Sequence, residues 1–261
     1  MAVHPANSRP YYEFQPGHID LLLAYGWFRM GRYMFTVHHI GWNRDVRVFW
    51  LRYRLQELKL PDSARSIGKR AGRFQFVIRD FELNRAHDEL YRQYRKSVFI
   101  DTADQLDEVL YRQEAGQNLV ETFPSKVVEM WDGNRLAGAG IFDTGETGLM
   151  GIVNYFHPDY RKFSPGKILM LKKIEWAISR NMEFYYPGYI GARDPRFDYK
   201  LFAGTEGAEI YDPLQVMWLP YEKEVSETLS QMQSQIIRNL PEPLWLNPLQ
   251  AGVVLQKFFK E

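Results

Sequence analysis

The sequence predicts an α+β fold, with a mixed β-sheet flanked by helices and an amino-terminal α+β subdomain. Short segments rich in aromatic and β-branched residues predict strands in both halves of the chain, and segments with apolar residues at helical spacing separate several of them. From residue 126 onward the predicted strands are joined by tight turns, which favours antiparallel pairing. With 261 residues, 45% of them hydrophobic, the chain can bury a large core.

The amino-terminal part predicts one helix and two strands. Apolar residues between Pro16 and Phe28 are mostly three to five positions apart, which is typical of a helix. The segments RYMFTVHH and VRVFWLRYRL follow, and their aromatic and β-branched content favours strands. Gly41 and Asn43 lie between these two segments and predict the turn that joins them.

Basic residues dominate the next predicted helix. Ser63 is its predicted N-cap, and Arg65, Lys69 and Arg73 are spaced four residues apart, so they share one face. Residues 29–96 carry sixteen Arg and Lys against seven Asp and Glu, a charge of +9, and the rest of the chain carries −8. This asymmetry fits a polyanion bound to one face, although a solvated surface without a ligand gives similar counts.

Composition excludes several kinds of chemistry. The chain has no Cys, so disulfides, thiolate metal sites, iron–sulfur clusters and Cys nucleophiles are ruled out, and its chemistry must use oxygen and nitrogen groups. The first ten residues lack the apolar core of a signal peptide, and no apolar run approaches the roughly 18 residues of a membrane span. We therefore expect a cytoplasmic protein without a membrane partner.

The middle of the chain predicts a strand, two helices and then three antiparallel strands. In order, these segments are residues 74–78, 85–95, 103–113, 126–131, 136–142 and 149–156. The turns between the last three are predicted at Asp132-Gly133-Asn134 and Thr144-Gly145-Glu146. The run RKFSPGK follows, with Ser164 as the predicted N-cap and Pro165 as the first residue of a helix. Backbone N–H groups at such a helix start suit a phosphate or a carboxylate.

The last third predicts an interrupted strand, a helix and a tail. In EFYYPGYI, Pro187-Gly188 marks an edge, a bulge or a place where the strand ladder opens. A polar helix is predicted around residues 225–239, and the Pro-rich segment PEPLWLNPLQ is expected to pack across the body. We expect three parts: a basic subdomain (1–84), a core (85–220) and a helical tail (221–261).

This order of elements is similar to the core of the GCN5-related N-acyltransferase fold, in which the strands before and after the signature helix splay apart. That superfamily holds a pyrophosphate on a turn of the form Arg or Gln, two residues, Gly, one residue, Gly or Ala. RKFSPG matches only at Arg161 and Gly166, because Ser164 replaces the middle Gly and Pro165 removes an N–H donor. An acyl-CoA-dependent N-acyltransferase stays open as an alternative, and CoA is expected only in that case.

A more specific resemblance covers residues 154–202. The segments NYFHPDYRKFSPGKILMLKKIEWA, FYYPGYI and RFDYKLF resemble the C-terminal domain of the arginyl and leucyl aminoacyl-tRNA protein transferases. The shared motifs are, in order, an aromatic-Phe-x-Pro strand end, a Ser-x-Gly turn, an Ile-Glu-x-Ala helix, a Tyr-x-x-Gly-Tyr strand and a Tyr-Lys pair. GWFRMGRYMF and LYRQY add weaker similarity in the amino-terminal half.

The resemblance implies an aminoacyltransferase that moves an amino acid of the Arg or Leu type from tRNA to the N-terminal amine of a protein or peptide. Aminoacyl-tRNA is then a co-substrate, and no cofactor and no DNA are expected. The reaction is aminolysis of an ester, for which holding the two substrates together supplies much of the rate.

The resemblance also suggests site residues. The candidates for catalysis are Tyr189, Tyr199, Lys200 and Asp143. Tyr can donate a hydrogen bond to an oxyanion and Lys can bind a phosphate or a carboxylate, although a Tyr-Lys pair on a strand is otherwise core and surface. Asp143 is a candidate for binding the acceptor amine, and capping the turn at Thr144 is the alternative.

Other candidates would contact tRNA, with a solvated turn and surface as the alternative. Those for its 3′ end are Tyr155, Arg161, Lys162, Ser164, Gly166 and Lys167. Those for its stem are Arg65, Lys69, Arg70 and Arg73. The reason in both cases is that RNA is bound largely through its phosphates and 2′-hydroxyls.

The sequence departs from the family in its amino-terminal half, where the family has a cysteine cluster that binds a metal or an iron–sulfur centre. His38 and His39 lie near that position, but two His without further ligands make a poor metal site, so no metal is expected. A non-catalytic descendant that only binds tRNA or a peptide is therefore a further alternative. In such a protein, Tyr199→Phe and Lys200→Ala would leave its biological activity intact.

Overall fold

The computed structural model describes residues 14–31, 33–40, 46–98, 103–111, 123–238 and 244–246. The α-helices within these ranges are α1 (Pro16–Ala24), α2 (Asp62–Ala71), α3 (Arg85–Lys96), α4 (Leu106–Tyr111), α5 (Pro165–Ser179) and α6 (Lys223–Arg238). The strands are β1 (Phe28–Met30), β2 (Tyr33–Thr36), β3 (His39–Ile40), β4 (Val46–Arg54), β5 (Gln75–Asp80), β6 (Ser125–Asp132), β7 (Arg135–Thr144), β8 (Gly148–Phe156), β9 (Phe184–Gly191), β10 (Ala208–Asp212), β11 (Met217–Pro220) and β12 (Leu244–Leu246). Two 3-10 helices span Pro158–Phe163 and Pro195–Ala203.

One mixed sheet organises the described residues. Its strand order is β11-β10-β4-β9-β8-β7-β6-β5, and β3 adds to β4. All neighbouring pairs are antiparallel except β8 and β9, which are parallel. The predicted α+β class with a mixed sheet is confirmed. The sheet crosses the predicted boundary after residue 84, because β4 and β5 pair with strands of the later segment; the three-part division stays a prediction.

Helices cover both faces of this sheet, as the alternation of side chains along its strands requires. Val128 of β6 and Leu149 of β8 contribute to the core cluster that contains the apolar face of α5. Their neighbours Val127 and Met150 point the other way, into the clusters formed with α3 and α4 and with α1. The sheet is therefore buried between two helical layers.

The parallel pair β8 and β9 parts after three residues. Gly148, Leu149 and Met150 of β8 pair with residues 184–186 of β9, and no register partner follows. Pro187 has no N–H to donate, and Gly188 has a φ of 107°, a conformation that disfavours residues with a Cβ. β9 continues on β4 instead, where Gly188 pairs with Leu51. Of the alternatives predicted for Pro187-Gly188, the structure shows an opening of the ladder towards β8, and towards β4 it shows a register shift between Leu51 and Tyr53.

Two predictions in the basic helix are wrong. α2 begins at Asp62 with Pro61 as its N-cap, so Ser63 lies inside the first turn, where the acidic Asp62 complements the helix dipole. The helix ends at Ala71, and Arg73 therefore does not lie on the helix face that carries Arg65 and Lys69. The Arg73 guanidinium instead pairs with Asp132 at 3.3 Å and stacks on the Phe163 ring.

The amino-terminal strands and the tail meet in a second sheet. RYMFTVHH does not form one strand: β2 ends at Thr36 and β3 begins at His39. β12 comes from the Pro-rich tail segment and pairs antiparallel with β2, while the packing of the tail as a whole stays a prediction. The predicted turn residues Gly41 and Asn43, the remainder of the tail and the end of the predicted helix 103–113 lie outside the described residues.

Candidate active site

A cavity of about 560 Å³ lies at the place where β8 and β9 part. Residues of β8 and β9 form two of its walls, and the first turn of α5 contributes Ser164, Pro165, Gly166 and Lys167. Tyr94 of α3 and Phe28 of β1 also line it. The cavity is therefore built by the opening of the sheet, and any molecule that fills it contacts the start of α5.

One end of the cavity is apolar. Phe28 stacks on Trp50 with ring centroids 3.6 Å apart, and Phe35 contacts the Trp50 ring edge-on at 5.3 Å. Met30 and Met150 line the same cavity. Trp50 is itself fixed by a hydrogen bond from its Nε1 to Thr36 Oγ1 at 3.2 Å. This end is suited to an apolar group.

Lys200 lies at the polar side of the cavity. It lies in the 3-10 helix Pro195–Ala203 and is 8% exposed, and its Nζ donates to the Tyr189 carbonyl at 2.6 Å. The amine also lies 4.6 Å from the centroid of the Tyr189 ring. Burial lowers the pKa of Lys200 to about 7. A large fraction of Lys200 is therefore neutral near pH 7 and able to accept a proton.

The two predicted tyrosines flank this amine. Tyr189 packs edge-on against Trp50 at 5.3 Å, and burial raises the pKa of its hydroxyl, which therefore stays protonated. Tyr199 is 49% exposed and lines the same cavity. The structure thus brings Tyr189, Tyr199 and Lys200 together.

The start of α5 offers fewer backbone donors than the sequence suggests. Ser164 is the N-cap by position, in the left-handed conformation with a φ of 60°, but its side chain makes no capping hydrogen bond. Its carbonyl accepts the N–H groups of Lys167 and Ile168, and Pro165 has no N–H. Gly166 is left as the backbone donor of this turn. A phosphate here would depend mainly on side chains.

Two of the three predicted cations at the turn line the cavity. Arg161 and Lys167 do so, and Arg161 Nη2 also donates to the carbonyl of Ser97, directly after α3, at 2.7 Å. Lys162 is not among the lining residues, and its amine lies 5.3 Å from the Phe163 ring centroid. Its direction is set by the 3-10 helix that precedes α5.

Asp143 is buried beneath the site rather than exposed to it. The carboxylate is 0% exposed and accepts hydrogen bonds from Arg29 Nη1 at 2.9 and 3.0 Å and from Ser125 Oγ at 2.7 Å. Arg29 itself lines the cavity, but its guanidinium also donates to the carbonyls of Gly31 and Leu110. Asp143 therefore fixes Arg29, and an acceptor amine does not reach it in this conformation.

Tyr155 also lies away from the cavity. Its side chain is 0% exposed, and its hydroxyl lies 2.8 Å from His87 Nδ1. His87 Nε2 is in turn 3.0 Å from the buried carboxylate of Glu129. Tyr155 points away from the cavity because successive side chains of a strand point to opposite faces of the sheet. Its neighbours in β8, Asn154 and Phe156, line the cavity. The predicted contact of Tyr155 with the tRNA end does not fit this placement.

The basic residues of α2 lie apart from the cavity. Arg65, Lys69, Arg70 and Arg73 are not among its lining residues. Arg65 is exposed and bonded to Asp62 and to the Leu60 carbonyl. Their predicted contact with a tRNA stem stays a prediction without a geometric link to the cavity.

A buried lysine supports one wall and was missed by the sequence analysis. Lys173 is 0% exposed, and its Nζ donates to the Ile141 carbonyl and to Asn154 Oδ1, both at 2.9 Å. Burial lowers the pKa of Lys173 to about 7, although the nearby Asp143 opposes this. The sequence contains one indication of this burial. Lys173 lies on the apolar face of the predicted helix, four residues from Leu169 and from Ala177.

Gly140 leaves space for the Lys173 and Asn154 side chains, and replacing it is expected to destabilise the folded state. A Cβ there would lie 2.5 Å from Asn154 Oδ1 and 2.9 Å from Lys173 Cε. Gly140→Ala should lower the free energy of unfolding by about 1–3 kcal/mol, as overpacking does. Gly166→Ala is the matched control, because the nearest atom to its added Cβ is 3.9 Å away. Denaturant unfolding checks this, and equal stability of the two variants would contradict it.

Neither a metal site nor a membrane span is found in the described part of the chain. No three His, Asp or Glu side chains among the described residues are placed to hold a metal ion. His38 is buried, and burial together with the nearby Arg47 lowers its pKa to about 3. No described helix is both long enough and apolar enough to cross a bilayer.

Comparison with known proteins identifies relatives of this chain. Residues 86–206 match the family described as arginine-tRNA-protein transferase, C terminus. A 94-residue stretch is 32% identical to an aspartate/glutamate leucyltransferase of Shewanella sp. (strain MR-4), covering 36% of each chain. A 182-residue stretch is 24% identical to an aspartate/glutamate leucyltransferase of Acinetobacter baumannii (strain AYE), covering 66% of this chain and 61% of that relative. In both cases the chain covers less than two thirds of the relative's length.

Two solved structures resemble the chain at low identity. The crystal structure of FemX aligns with a TM-score of 0.47 and 9% identity, covering 82% of this chain and 70% of FemX. The structure of L-PGS from Bacillus licheniformis aligns with a TM-score of 0.39 and 11% identity, covering 68% of this chain and 52% of L-PGS.

Proposed function

Residues 86–206 belong to the aminoacyl-tRNA-protein transferase family, and on this basis we propose that the protein transfers an amino acid from a charged tRNA to the N-terminal amine of a protein or peptide. The acceptor amine attacks the ester carbonyl carbon and forms an amide. The bond from that carbon to the ribose oxygen breaks, and the proton of the amine ends on the released hydroxyl.

The observation that carries the proposal is the cavity between β8 and β9 with Lys200 inside it. A slot between two strands holds an ester and an amine side by side, and this positioning supplies a large part of the rate in a reaction of two bound molecules. The aminoacyl end of the tRNA would enter beside the start of α5. There Arg161 and Lys167 line the cavity and would bind the terminal phosphates.

Lys200 is the proposed proton acceptor. Its hydrogen bond to the Tyr189 carbonyl holds the amine in place. The lone pair of the neutral form can then take the proton that the acceptor amine loses. Tyr199 lines the same cavity with a hydroxyl that can donate to the developing oxyanion.

The cavity lining favours a donor amino acid with an uncharged apolar side chain. No Asp or Glu is among the described residues that line it, while Arg29, Arg161, Lys167 and Lys200 are. An arginyl group would be buried near Arg161 and Lys167 without a carboxylate partner among the described lining residues, which is unfavourable. A leucyl group would instead contact the apolar end around Trp50. We therefore propose the Leu type, with an acidic acceptor residue matching the cationic side.

The rate of transfer should depend on the protonation of Lys200. Because the pKa of Lys200 is lowered to about 7, the neutral form that accepts a proton is lost as the pH falls below that value. The rate constant for transfer should therefore rise through pH 7, and the acceptor amine, which attacks only when neutral and has an ordinary pKa of about 7.7–8.0, extends the rise above pH 8. Single-turnover rates between pH 5.5 and 8.5 check this, with the uncatalysed ester hydrolysis subtracted. A rate independent of pH would contradict it.

The function is tested by incubating the protein with tRNAs charged with labelled amino acids and with peptides that begin with Asp, Glu, Lys or Ala. Label is expected on the acidic peptides, from leucyl-tRNA in preference to arginyl-tRNA. Transfer from acetyl-CoA and not from any charged tRNA would instead support the acyl-CoA alternative. Binding of charged tRNA without transfer would support a non-catalytic descendant.

A further inference from the structure

A β-bulge sets which face of the sheet Asn154 points to. The pairing of β8 with β7 shifts by one residue at Ile152, which has no register partner in β7. Such a shift exchanges the two faces of the strand beyond it. Asn154 would otherwise share a face with Met150, on the side of α1, but it contacts Lys173 of α5 instead. The bulge therefore brings Asn154 to the side of the sheet on which α5 packs, where it lines the candidate active site.

Lys173 holds the Asn154 side chain in one orientation. Its Nζ donates to Asn154 Oδ1 and to the Ile141 carbonyl, both at 2.9 Å, and its side chain is fully buried. A protonated lysine has N–H donors and no acceptor, so the oxygen of the amide faces it and the nitrogen does not. No described residue accepts a hydrogen bond from Asn154 Nδ2. The Nδ2 donors are therefore left for a molecule in the cavity, and the bond to Oδ1 polarises the amide and strengthens them.

Asn154 lies between the two ends of the cavity. Two residues further along β8, roughly 7 Å away, the Phe156 ring lies 3.9 Å from the position of an added Cβ on Gly166, at the start of α5. In the other direction, Met150 lines the cavity beside the apolar end around Phe28. A substrate with its phosphates at α5 and its amino acid side chain at the apolar end has its ester between the two. Among the described β8 residues that line the cavity, Asn154 alone has a polar side chain.

We propose that Asn154 is a catalytic residue that donates a hydrogen bond from Nδ2 to the carbonyl oxygen of the aminoacyl ester, and that Lys173 is the residue that positions it. This rests on the proposed function, because it takes the aminoacyl ester to be in the cavity. When the acceptor amine bonds to the carbonyl carbon, the π electrons of the carbonyl move to its oxygen, and a donor placed there lowers the barrier. That electron pair re-forms the carbonyl as the bond to the ribose oxygen breaks, and the ribose oxygen takes the proton that Lys200 received.

A purely structural role of Asn154 is the alternative, in which its amide only gives the buried Lys173 a hydrogen-bond acceptor. The two roles depend on different atoms of the side chain. The structural role needs Oδ1, which accepts from Lys173 Nζ. The catalytic role needs the Nδ2 donors. A substitution that keeps the acceptor and removes the donors therefore separates the two roles.

Asn154→Asp keeps an oxygen that accepts from Lys173 and removes the Nδ2 donors, whereas Asn154→Leu removes both. The single-turnover rate constant at saturating charged tRNA should fall about 10²–10³-fold in both variants, the loss typical of a missing oxyanion donor. KM should stay within about threefold of wild type, because the donor acts mainly in the transition state. The midpoint of denaturant unfolding should fall only in Asn154→Leu. A folded Asn154→Asp protein that transfers at the wild-type rate would show a structural role only and overturn the proposal.

Two substitutions of equal length test the positioning by Lys173. Lys173→Gln supplies two N–H donors for Asn154 Oδ1 and the Ile141 carbonyl, whereas Lys173→Met supplies none. The rate constant should fall about tenfold in Lys173→Met and stay within about threefold of wild type in Lys173→Gln, with KM unchanged in both. Lys172→Met is the control and should transfer at the wild-type rate, because Lys172 pairs with Glu175 and does not line the cavity. Equal rates of the two Lys173 variants would overturn the positioning role.

The result for wild type separates this inference from the proposed function. If wild type transfers an amino acid and the folded Asn154 variants keep its rate, the role of Asn154 is wrong and the transferase function stands. If wild type moves no amino acid from any charged tRNA, the proposed function fails and this inference fails with it. If Asn154→Asp does not fold, the two Lys173 variants decide, since a lower rate in Lys173→Met than in Lys173→Gln supports the inference and equal rates contradict it.

Discussion

Replacing Lys200 by methionine is expected to lower the rate constant for aminoacyl transfer by about 10²–10⁴-fold, the range typical of a missing general base. The amine is the only group of Lys200 that the change removes from the cavity, and the aliphatic part of the side chain keeps its packing. KM for charged tRNA should change little, because Arg161 and Lys167, which also line the cavity, are untouched. Single-turnover transfer at saturating tRNA measures this effect.

The control for this prediction is Lys59→Met. Lys59 is 78% exposed and forms a surface pair with Glu206, so its loss should leave the rate within about twofold of wild type. The Lys200 variant should also lose the part of the rise in rate that is due to Lys200 and keep the part that is due to the acceptor amine. A Lys200→Met protein that transfers at the wild-type rate would show that the proton goes elsewhere, and the role assigned to this amine would be abandoned.

Replacing Arg29 by methionine is expected to lower the free energy of unfolding by about 3–5 kcal/mol. The change leaves the Asp143 carboxylate fully buried without its cation. It also removes the donors to the Gly31 and Leu110 carbonyls and the stacking of the guanidinium on the Phe123 ring at 4.2 Å. Denaturant unfolding of the purified variant measures the effect.

Two further variants separate the charge effect from a general loss of packing. Arg29→Met combined with Asp143→Leu removes both charges and should recover part of the stability, since a buried ion pair is often replaceable by apolar groups. Arg73→Met breaks the surface pair with Asp132 and should cost less than about 1 kcal/mol. If the single Arg29 variant were as stable as the Arg73 variant, the Arg29–Asp143 pair would not have the structural role described.

The sequence predicted that the strand is interrupted at Pro187-Gly188, where the cavity lies, because that signal is local. Pro187 lacks an N–H and Gly188 tolerates a positive φ, so the ladder had to change near them, whatever the neighbouring strands were. The hairpins around Gly133 and Gly145 were predictable for the same reason. The position of β4 between β9 and β10 could not be predicted. This pairing joins segments that are distant in the sequence, and no local pattern indicates it.

The misplaced site residues have a common cause. Whether Tyr155 or its neighbour Asn154 lines the cavity depends on strand register, and a shift of one residue exchanges the two faces. The burial of Asp143 depends on Arg29, which is 114 residues away in the sequence. Spacing along the chain indicates which residues are close in an element, but it does not indicate which of them face a ligand.

The central claim, that the opening between β8 and β9 binds the aminoacyl end of tRNA, is tested most directly by filling that opening. Gly151 of β8 lines it, and an added Cβ there would make only ordinary contacts, with Tyr185 Oη nearest at 3.4 Å. Calorimetry with an amide-linked analogue of 3′-leucyl-adenosine is expected to detect binding to wild type and to Gly151→Ala, and none to a folded Gly151→Trp. Equal affinity of the Trp variant and wild type would contradict the claim.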